Sequence, residues 1–222
     1  MCKTVSRLRL AVESHGLGLL RTVGLSGEVG FDLQIDIADR CDLSVAANKL
    51  LNHLGQYFLS TGRTLLTGGS VDWASSLLIA REVERRVLEL DEMDFDGTSI
   101  NHGVYNALEI WTEQSALCAS QGVGFEPCRY GEKIVLSPGV LESGNTIEGV
   151  RYKRSPSMSG WWIFTEDYDG TVDNFKSMRP THVFHVLRAR RDLARFLGLP
   201  SGFAFDDSSI GTVWYEEDLL HD

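Results

Sequence analysis

The feature that most constrains the fold is an alternating segment followed directly by a helical one. In FDLQIDI, residues 31–37, apolar side chains alternate with polar ones, and this period of two predicts a strand with one buried face. The next segment, residues 42–62, repeats apolar residues every three or four positions. It predicts a helix that Asp42 caps and Gly62 ends, packed on that strand.

Further along the chain, strand and helix patterns occur in separate runs. SINHGVYNALEIWTEQSALCASQG predicts a second helix with Trp111 in its apolar stripe and Gly122 at its end, and RRVLELDEMD predicts a strand. GWWIF, THVFHVLR, GFAF and TVWY are short β-prone runs, with a brief helix expected in RRDLARFLGLP. These segregated patterns predict an α+β fold of two small domains, in which antiparallel sheets carry helices packed on one face.

A change of composition suggests where the two domains divide. Between Gly122 and Pro156 the chain becomes rich in glycine and proline, with short runs such as KIVLS, and this favours turns and a linker just before Arg151. We therefore expect one α+β domain of uncertain family over residues 1–149 and a second over residues 150–222.

The charge balance bears on the kind of partner. The chain has 31 acidic and 21 basic residues, a formal net charge of -10. Phosphate binding needs clustered lysine and arginine that release counterions, so this balance argues against nucleic acid. A basic protein partner is the better fit, although a negative balance also simply keeps a protein in solution.

The cysteines and the apolar segments bear on the compartment. The wide spacing of Cys2, Cys41, Cys118 and Cys128 fits neither a zinc site nor a dense disulfide framework, which favours a reducing cytoplasm. The N-terminal stretch lacks an apolar block of signal-peptide length, and no stretch approaches the length of a membrane span. We expect a cytoplasmic protein with no membrane partner; the sequence leaves its oligomeric state open.

The candidate motifs for a metal site, a catalytic nucleophile and a cofactor site are each incomplete. EMDFDG begins like a calcium loop, but Gly103 stands where a bidentate carboxylate is needed, and Lys176 stands at the same place after DYDG. There is no G-x-S-x-G elbow, and the glycines at 24, 27 and 30 fit a hairpin turn better than a phosphate loop. We expect no metal, no cofactor and no catalytic residue.

His182 and His185 are the remaining candidates for chemistry. In THVFHVLR they lie three residues apart, and on a strand such residues face opposite sides of the sheet. If the segment were helical, the two side chains could share an ion. The β-rich composition of the segment favours a strand and therefore a packed or hydrogen-bonded pair.

The adjacent tryptophans of SPSMSGWWIFTEDYDG raise the question of a binding surface. On a strand, Trp161 and Trp162 point to opposite faces, so that one enters the core and the other lies on the outside. An outward tryptophan rimmed by acids has the composition of a protein-binding hot spot. The alternative is that a helix of the other domain covers the outer face and both tryptophans are core. The predicted partner-binding residues are Trp161, Trp162, Asp167, Tyr168, Asp169, Glu216, Glu217 and Asp218.

These segments also carry a family resemblance. GVRYKRSPSMSGWWIFTEDYDG and THVFHVLRARRDLARFLGLPSGFAF resemble the thirty-third immunity-protein family of bacterial polymorphic toxin systems, a small α+β domain, over roughly Val150 to Tyr215. The matching residues are Ser159, Gly160, Trp161 and Trp162, followed by Arg190, Asp192, Leu193, Leu199, Pro200, Gly202 and Phe205. Gly160, Pro200 and Gly202 are expected to be structural, because glycine and proline fix backbone turns.

The resemblance implies a non-catalytic immunity protein that binds and neutralises a cognate toxin. Antibacterial toxins that act on nucleic acids are often basic, so an acidic inhibitor gains association rate and complementarity. Two other readings stay open. One is a hydrolase-type enzyme with a cleft between the domains and His182 or His185 as general base, and the other is a non-inhibitory adaptor module.

Overall fold

The computed structural model describes residues 10–16, 18–208 and 212–221, without the side chain of Asn174. Cys2 and the N-terminal stretch lie outside these residues. The described chain forms two compact units. The first takes in the residues up to Val71 with Leu78–Met93 and Ile100–Glu109, and the second takes in Asp72–Leu77, Asp94–Ser99 and the residues from Ile110 onward.

The first unit is built on a seven-stranded sheet with helices. The sheet has the order β1-β2-β3-β6-β5-β4, with β7 paired to β6, and β3 runs parallel to β6. Strands β4 and β5 and helix α3 each contribute residues to both units. The elements are β1 Ala11–Ser14, β2 Leu19–Val23, α1 Leu25–Val29, β3 Asp32–Asp36, a 3₁₀ turn Cys41–Leu43, α2 Ser44–Thr61, β4 Ser70–Trp73, β5 Ser76–Glu84, β6 Val87–Met93, β7 Ile100–Asn101 and α3 Tyr105–Ser120.

The predicted strand and helix at the start of this unit form as β3 and α2. Gly62 ends α2 with φ of 65°, as predicted, whereas Asp42 forms an ion pair with Arg40 and does not cap the helix. The polar side of β3 is not simply exposed. Gln34 is buried and donates from its amide to Glu89 at 2.6 Å while it accepts from Arg21 at 2.8 Å. Its hydrogen bonds offset the cost of burying the amide.

The second unit is built on a six-stranded sheet of order β11-β8-β10-β9-β12-β13. Its pairings are antiparallel except that β10 runs parallel to β8. The predicted α+β class is confirmed, but each sheet is mixed. The elements beyond α3 are β8 Lys133–Leu136, β9 Ile147–Arg151, β10 Met158–Thr165, α4 Val172–Ser177, β11 Arg179–His182, α5 Val183–Ala189, a 3₁₀ helix Arg191–Gly198, β12 Phe203–Asp206, β13 Thr212–Tyr215 and a 3₁₀ helix Glu217–Leu220.

The predicted division between residues 149 and 150 lies inside β9. Residues on both sides of it belong to the second unit and to one sheet. Pro138, Gly139, Gly144 and Pro156 lie in the turns that join β8, β9 and β10, while Gly149 lies within β9 and the glycines and proline of residues 122–131 precede β8. A change in composition marks turns as readily as it marks a boundary between domains.

The predicted strand over THVFHVLR is wrong from Val183 onward. The extended chain ends at His182, and α5 begins at Val183, whose amide donates to the carbonyl of Glu132 at 2.8 Å. Val183, Val186 and Leu187 are buried at helical spacing. Short β-branched runs of this kind fit either structure, and here the packing of the apolar stripe favours the helix.

The core of the second unit lies on one face of its sheet. Trp161 and Phe205 have ring centroids 5.3 Å apart, and Phe205 stacks on Phe196 of the 3₁₀ helix at 4.0 Å. A Cβ at Gly149 would lie 2.3 Å from the Phe205 ring, so glycine there lets the ring pack against the strand. None of the helices in the described ranges has both the length and the apolar character needed to cross a membrane.

Candidate protein-binding face

The two tryptophans separate as the strand period predicts. Trp161 is completely buried beside Phe205, while Trp162 points to the other side of β10 and is partly exposed. We call the side that carries Trp162 the outer face. By strand register it also carries Phe164 on β10, Glu148 and Val150 on β9, Ala204 and Asp206 on β12, and Trp214 on β13.

Aromatic side chains cover one part of the outer face. Phe175 of α4 stacks on Trp162 with ring centroids 5.8 Å apart, and Tyr152 meets the same indole edge-on at 6.2 Å. Phe175 remains 56% exposed and Val172, on the same short helix, 69% exposed. A contiguous patch of exposed aromatic and aliphatic surface is a common feature of protein-binding sites.

An acidic cleft adjoins the aromatic residues. Strand register places Phe164, Glu148 and Asp206 side by side across β10, β9 and β12. A cleft of about 410 Å³ opens here, lined by these three residues together with Thr146, Ile147, Thr165, Glu166 and Tyr168. Tyr168 stacks on Phe164 with ring centroids 4.4 Å apart, so one wall of the cleft is aromatic.

The carboxylates of the cleft lie without an ion-pair partner in the described parts of the chain. Burial raises the pKa of Glu148, and the carboxylates of Asp206 and Glu216 raise it further. Among the residues that the structure describes, Glu148, Glu166 and Asp206 form no ion pair. The cleft therefore presents unbalanced negative charge beside an aromatic surface.

Comparison with known proteins identifies the region that carries this face. Residues 113–216 match the model of the Imm33-like domain. The match covers slightly under half of the chain and includes all six strands of the second unit's sheet. It begins well before Val150, where the resemblance in the sequence motifs starts. No curated protein and no solved structure matches the chain.

The motif residues of the Imm33-like domain hold the fold together. Arg190 is buried and donates to both Asp192 and Asp207 and to the carbonyl of Val140. Asp207 in turn accepts the amide of Ile147 at 2.7 Å, which ties the end of β12 to the start of β9. The R-x-D-L pattern is thus explained by a buried arginine that satisfies backbone and carboxylate acceptors.

The glycines of the motif are structural, as predicted. Gly160 has φ of 87°, and a Cβ there would lie 2.3 Å from the carbonyl oxygen of Tyr152. Gly202 has φ of 90°, and a Cβ there would lie 2.7 Å from the Tyr215 ring. Both positions combine a left-handed backbone with a close approach that only glycine allows.

The residues predicted to bind a partner are distributed unevenly over the Imm33-like domain. Trp161 has no exposed surface, so it packs in the core and is not available for contact with a partner. Trp162 and Tyr168 lie on or beside the outer face, and Asp167 and Asp169 are exposed in the turn that leads to α4. Glu216, Glu217 and Asp218 are exposed after β13, and only Glu216 acts electrostatically on the cleft.

The predicted site residues include neither Val172 and Phe175 of the exposed patch nor four residues of the cleft. Glu148, Phe164, Glu166 and Asp206 line the cleft, yet none was among the predicted site residues. The sequence does contain a signal for the two acids of the strands. In IEGVR and FAFD, side chains of a strand alternate between faces, so Glu148 and Asp206 each point to the face opposite that of the residue before them. The pairing of β9 with both β10 and β12, which brings the acids together, is not readable from a single sequence.

The two histidines of the Imm33-like domain lie nearer to each other than a strand would place them. The rings of His182 and His185 are 6.1 Å apart between centroids, with Phe184 packed against both. Burial lowers the pKa of His182, and Lys133 and His185 lower it further. In the described part of the chain, no group of three or more histidine, cysteine or acidic residues could hold a metal ion.

The remaining sequence candidates have ordinary structural roles. Asp94, in the expected turn, accepts hydrogen bonds from Thr98 and Ser99, and these hold its pKa at about 2. Cys118 and Cys128 are buried, and burial raises the pKa of both thiols. A raised pKa keeps a thiol protonated and therefore weakly nucleophilic.

Proposed function

We propose that this chain is an immunity protein that binds a cognate toxin and neutralises it by non-catalytic contact through the outer face of its Imm33-like domain. The observation that carries the proposal is the match of residues 113–216 to that domain. The exposed apolar patch formed by the aromatic Trp162 and Phe175 and the aliphatic Val172 supports the choice of face, because it lies within the matched region.

The acidic character of the chain supports a basic toxin as the partner. The formal net charge is -10, and the unpaired carboxylates of the cleft concentrate negative charge beside the aromatic patch. Complementary charge speeds association and suppresses wrong partners. The widely spaced cysteines favour the cytoplasm as the place where the protein meets the toxin.

Co-expression with the product of the neighbouring gene tests the proposal. The wild-type protein should co-purify with that product and should restore growth of cells that make it. Phe175→Ala should weaken the complex about tenfold or more, because exposed aromatic side chains dominate interface energetics. The result that contradicts the proposal is a wild-type protein that neither binds the product nor protects cells from it.

Leu66→Ala provides the matched control. Leu66 is 73% exposed and belongs to the first unit, so the substitution removes a similar apolar surface away from the outer face. The proposal predicts near wild-type binding for this variant. Equal losses in Phe175→Ala and Leu66→Ala would exclude the outer face as the binding surface.

A further inference from the structure

We propose that the acidic cleft of the outer face receives a cationic side chain, an arginine or lysine, of the bound protein. The inference rests on the proposed function in that it takes the cation to belong to the toxin. It goes further by assigning a position on the face and a chemical class of contact. Four observations carry it: the register of the strands, the shape of the cleft, its charge and its aromatic wall.

Strand pairing fixes the two acids at the base of the cleft. Glu148 pairs directly with Phe164 on one side and with Asp206 on the other. Side chains at directly paired positions stand about 5 Å apart on the same face of a sheet. The two carboxylates are therefore neighbours because the sheet is built this way, and not through a chance approach of surface loops.

The like charges at this position are unfavourable in the unbound protein. Asp206 and Glu216 both disfavour the ionised form of Glu148, and burial disfavours it as well. Two other acids of the same domain do have cationic partners: Asp207 pairs with Arg190 at 2.9 Å, and Glu132 pairs with Arg154 at 2.8 Å. A cation placed between Glu148 and Asp206 would relieve the repulsion that no described residue relieves.

The aromatic wall supplies a second kind of contact for the same cation. Phe164 and Tyr168 stack with an interplanar angle of 23°, and both line the cleft. A guanidinium or ammonium group over an aromatic face is attracted by the ring quadrupole, and a planar guanidinium also stacks on it. The volume of about 410 Å³ accommodates the end of an arginine side chain with water.

The cleft is continuous with the aromatic patch. Phe164 and Trp162 are two residues apart on β10, so their side chains stand on the same face. A partner that lays apolar side chains on Trp162 and Phe175 would therefore bring a neighbouring residue of its chain over the cleft. Charge complementarity selects a basic residue at that point.

The first experiment tests the cleft without the toxin. The probe is the peptide acetyl-Gly-Arg-Gly-amide, titrated into the ¹⁵N-labelled full chain at millimolar concentrations, with the citrulline peptide as the neutral match. The arginine peptide should shift the amide signals of Thr165, Glu166 and Tyr168, and the citrulline peptide should not. Equal shifts with both peptides, or none with either, would overturn the inference.

The second experiment uses paired charge variants. Glu148→Gln with Asp206→Asn removes two charges from the cleft while the new amides keep oxygens that accept hydrogen bonds, such as that from Ser208 to Asp206. Glu28→Gln with Asp39→Asn removes two exposed charges from the first unit. The cleft variant should lose the arginine-specific shifts and bind the neighbouring-gene product about tenfold more weakly, and the control pair should change little.

The outcomes separate the inference from the proposed function. If the wild-type chain binds the toxin and the cleft variant binds it equally well, the proposed function holds and the inference is overturned. If the arginine peptide binds the cleft but the toxin neither binds nor is neutralised, the cleft's preference for a cation is supported and the proposed function fails.

Discussion

Gly160 lies within β10, directly before the two tryptophans of that strand. Its φ of 87° is a left-handed conformation, and the carbonyl oxygen of Tyr152 occupies the space that a Cβ would need. The same residue is part of the S-G-W motif on which the resemblance to the immunity-protein family rests. A motif residue can therefore mark a requirement of the backbone while the exposed side chain beside it, Trp162, is the one available for contact.

Replacement of Gly160 tests this distinction. Gly160→Ala should lower the free energy of unfolding by about 2–4 kcal/mol, because it combines left-handed strain with a steric clash. Gly170→Ala separates the two causes, since Gly170 has φ of 72° with open space around its Cβ position. It should lose only about 1 kcal/mol in the same denaturant titration. Equal losses would mean that the contact with Tyr152 contributes nothing.

Also at the scale of single residues, the acids on and beside the outer face show what a single sequence leaves out. Asp167 and Asp169 stand out in the sequence because they flank Tyr168, a short distance after the two tryptophans. Glu148 and Asp206 lie 58 positions apart, by their residue numbers, and are joined only by strand pairing. Residue type and alternation give the facing of each side chain, but the register between distant strands depends on the whole packed sheet.

Among the elements, the long helix α2 and short strands such as β8 and β13 form where the sequence predicts them, whereas the segment THVFHVLR does not. The helix α2 extends over 18 residues with a continuous buried stripe, and its end at Gly62 follows from the glycine's left-handed φ. THVFHVLR has only eight residues, and its apolar positions satisfy the strand period and the helix period about equally well. The burial of Val183, Val186 and Leu187 against the rest of the second unit settles it as a helix from Val183 onward.

In the turn that begins at Asp94, the contribution of the Asp94 charge to stability can be tested. Asp94 accepts hydrogen bonds from Ser99 and Thr98, which lower its pKa from the ordinary 3.8 to about 2. A lowered carboxylate pKa in the folded state adds stability above the ordinary value, and this is lost as pH falls towards the folded value. Asp94→Asn should therefore be less stable than wild type at pH 6.

The measurement is the difference in stability between wild type and Asp94→Asn as a function of pH. The gap in unfolding midpoint between wild type and Asp94→Asn should narrow progressively as pH falls from about 4 to about 2. The exposed Asp39→Asn serves as the reference for the loss of one negative charge. A gap that stays constant over this range would show that the Asp94 charge does not stabilise the turn.

For the whole molecule, the sequence and the structure agree on the α+β class of the fold, and the family resemblance seen in the C-terminal part agrees with the match of residues 113–216 to the Imm33-like domain. The resemblance was visible because its motif residues lie at positions of strict geometry, such as Gly160, Gly202 and the buried Arg190. The extent of the domain was not visible, since α3 and β8 carry no motif of comparable specificity. Each unit is also assembled from several separate stretches of the chain, and the order of residues alone does not show this division.

We propose that the outer face of the region that matches the Imm33-like domain binds a toxin. Hydrogen–deuterium exchange of the full chain, with and without the product of the neighbouring gene, tests this proposal. Residues 166–177, which form the exposed turn and α4, should exchange more slowly in the complex, while α1 of the first unit should not change. A stable complex in which only residues of the first unit are protected would contradict the account.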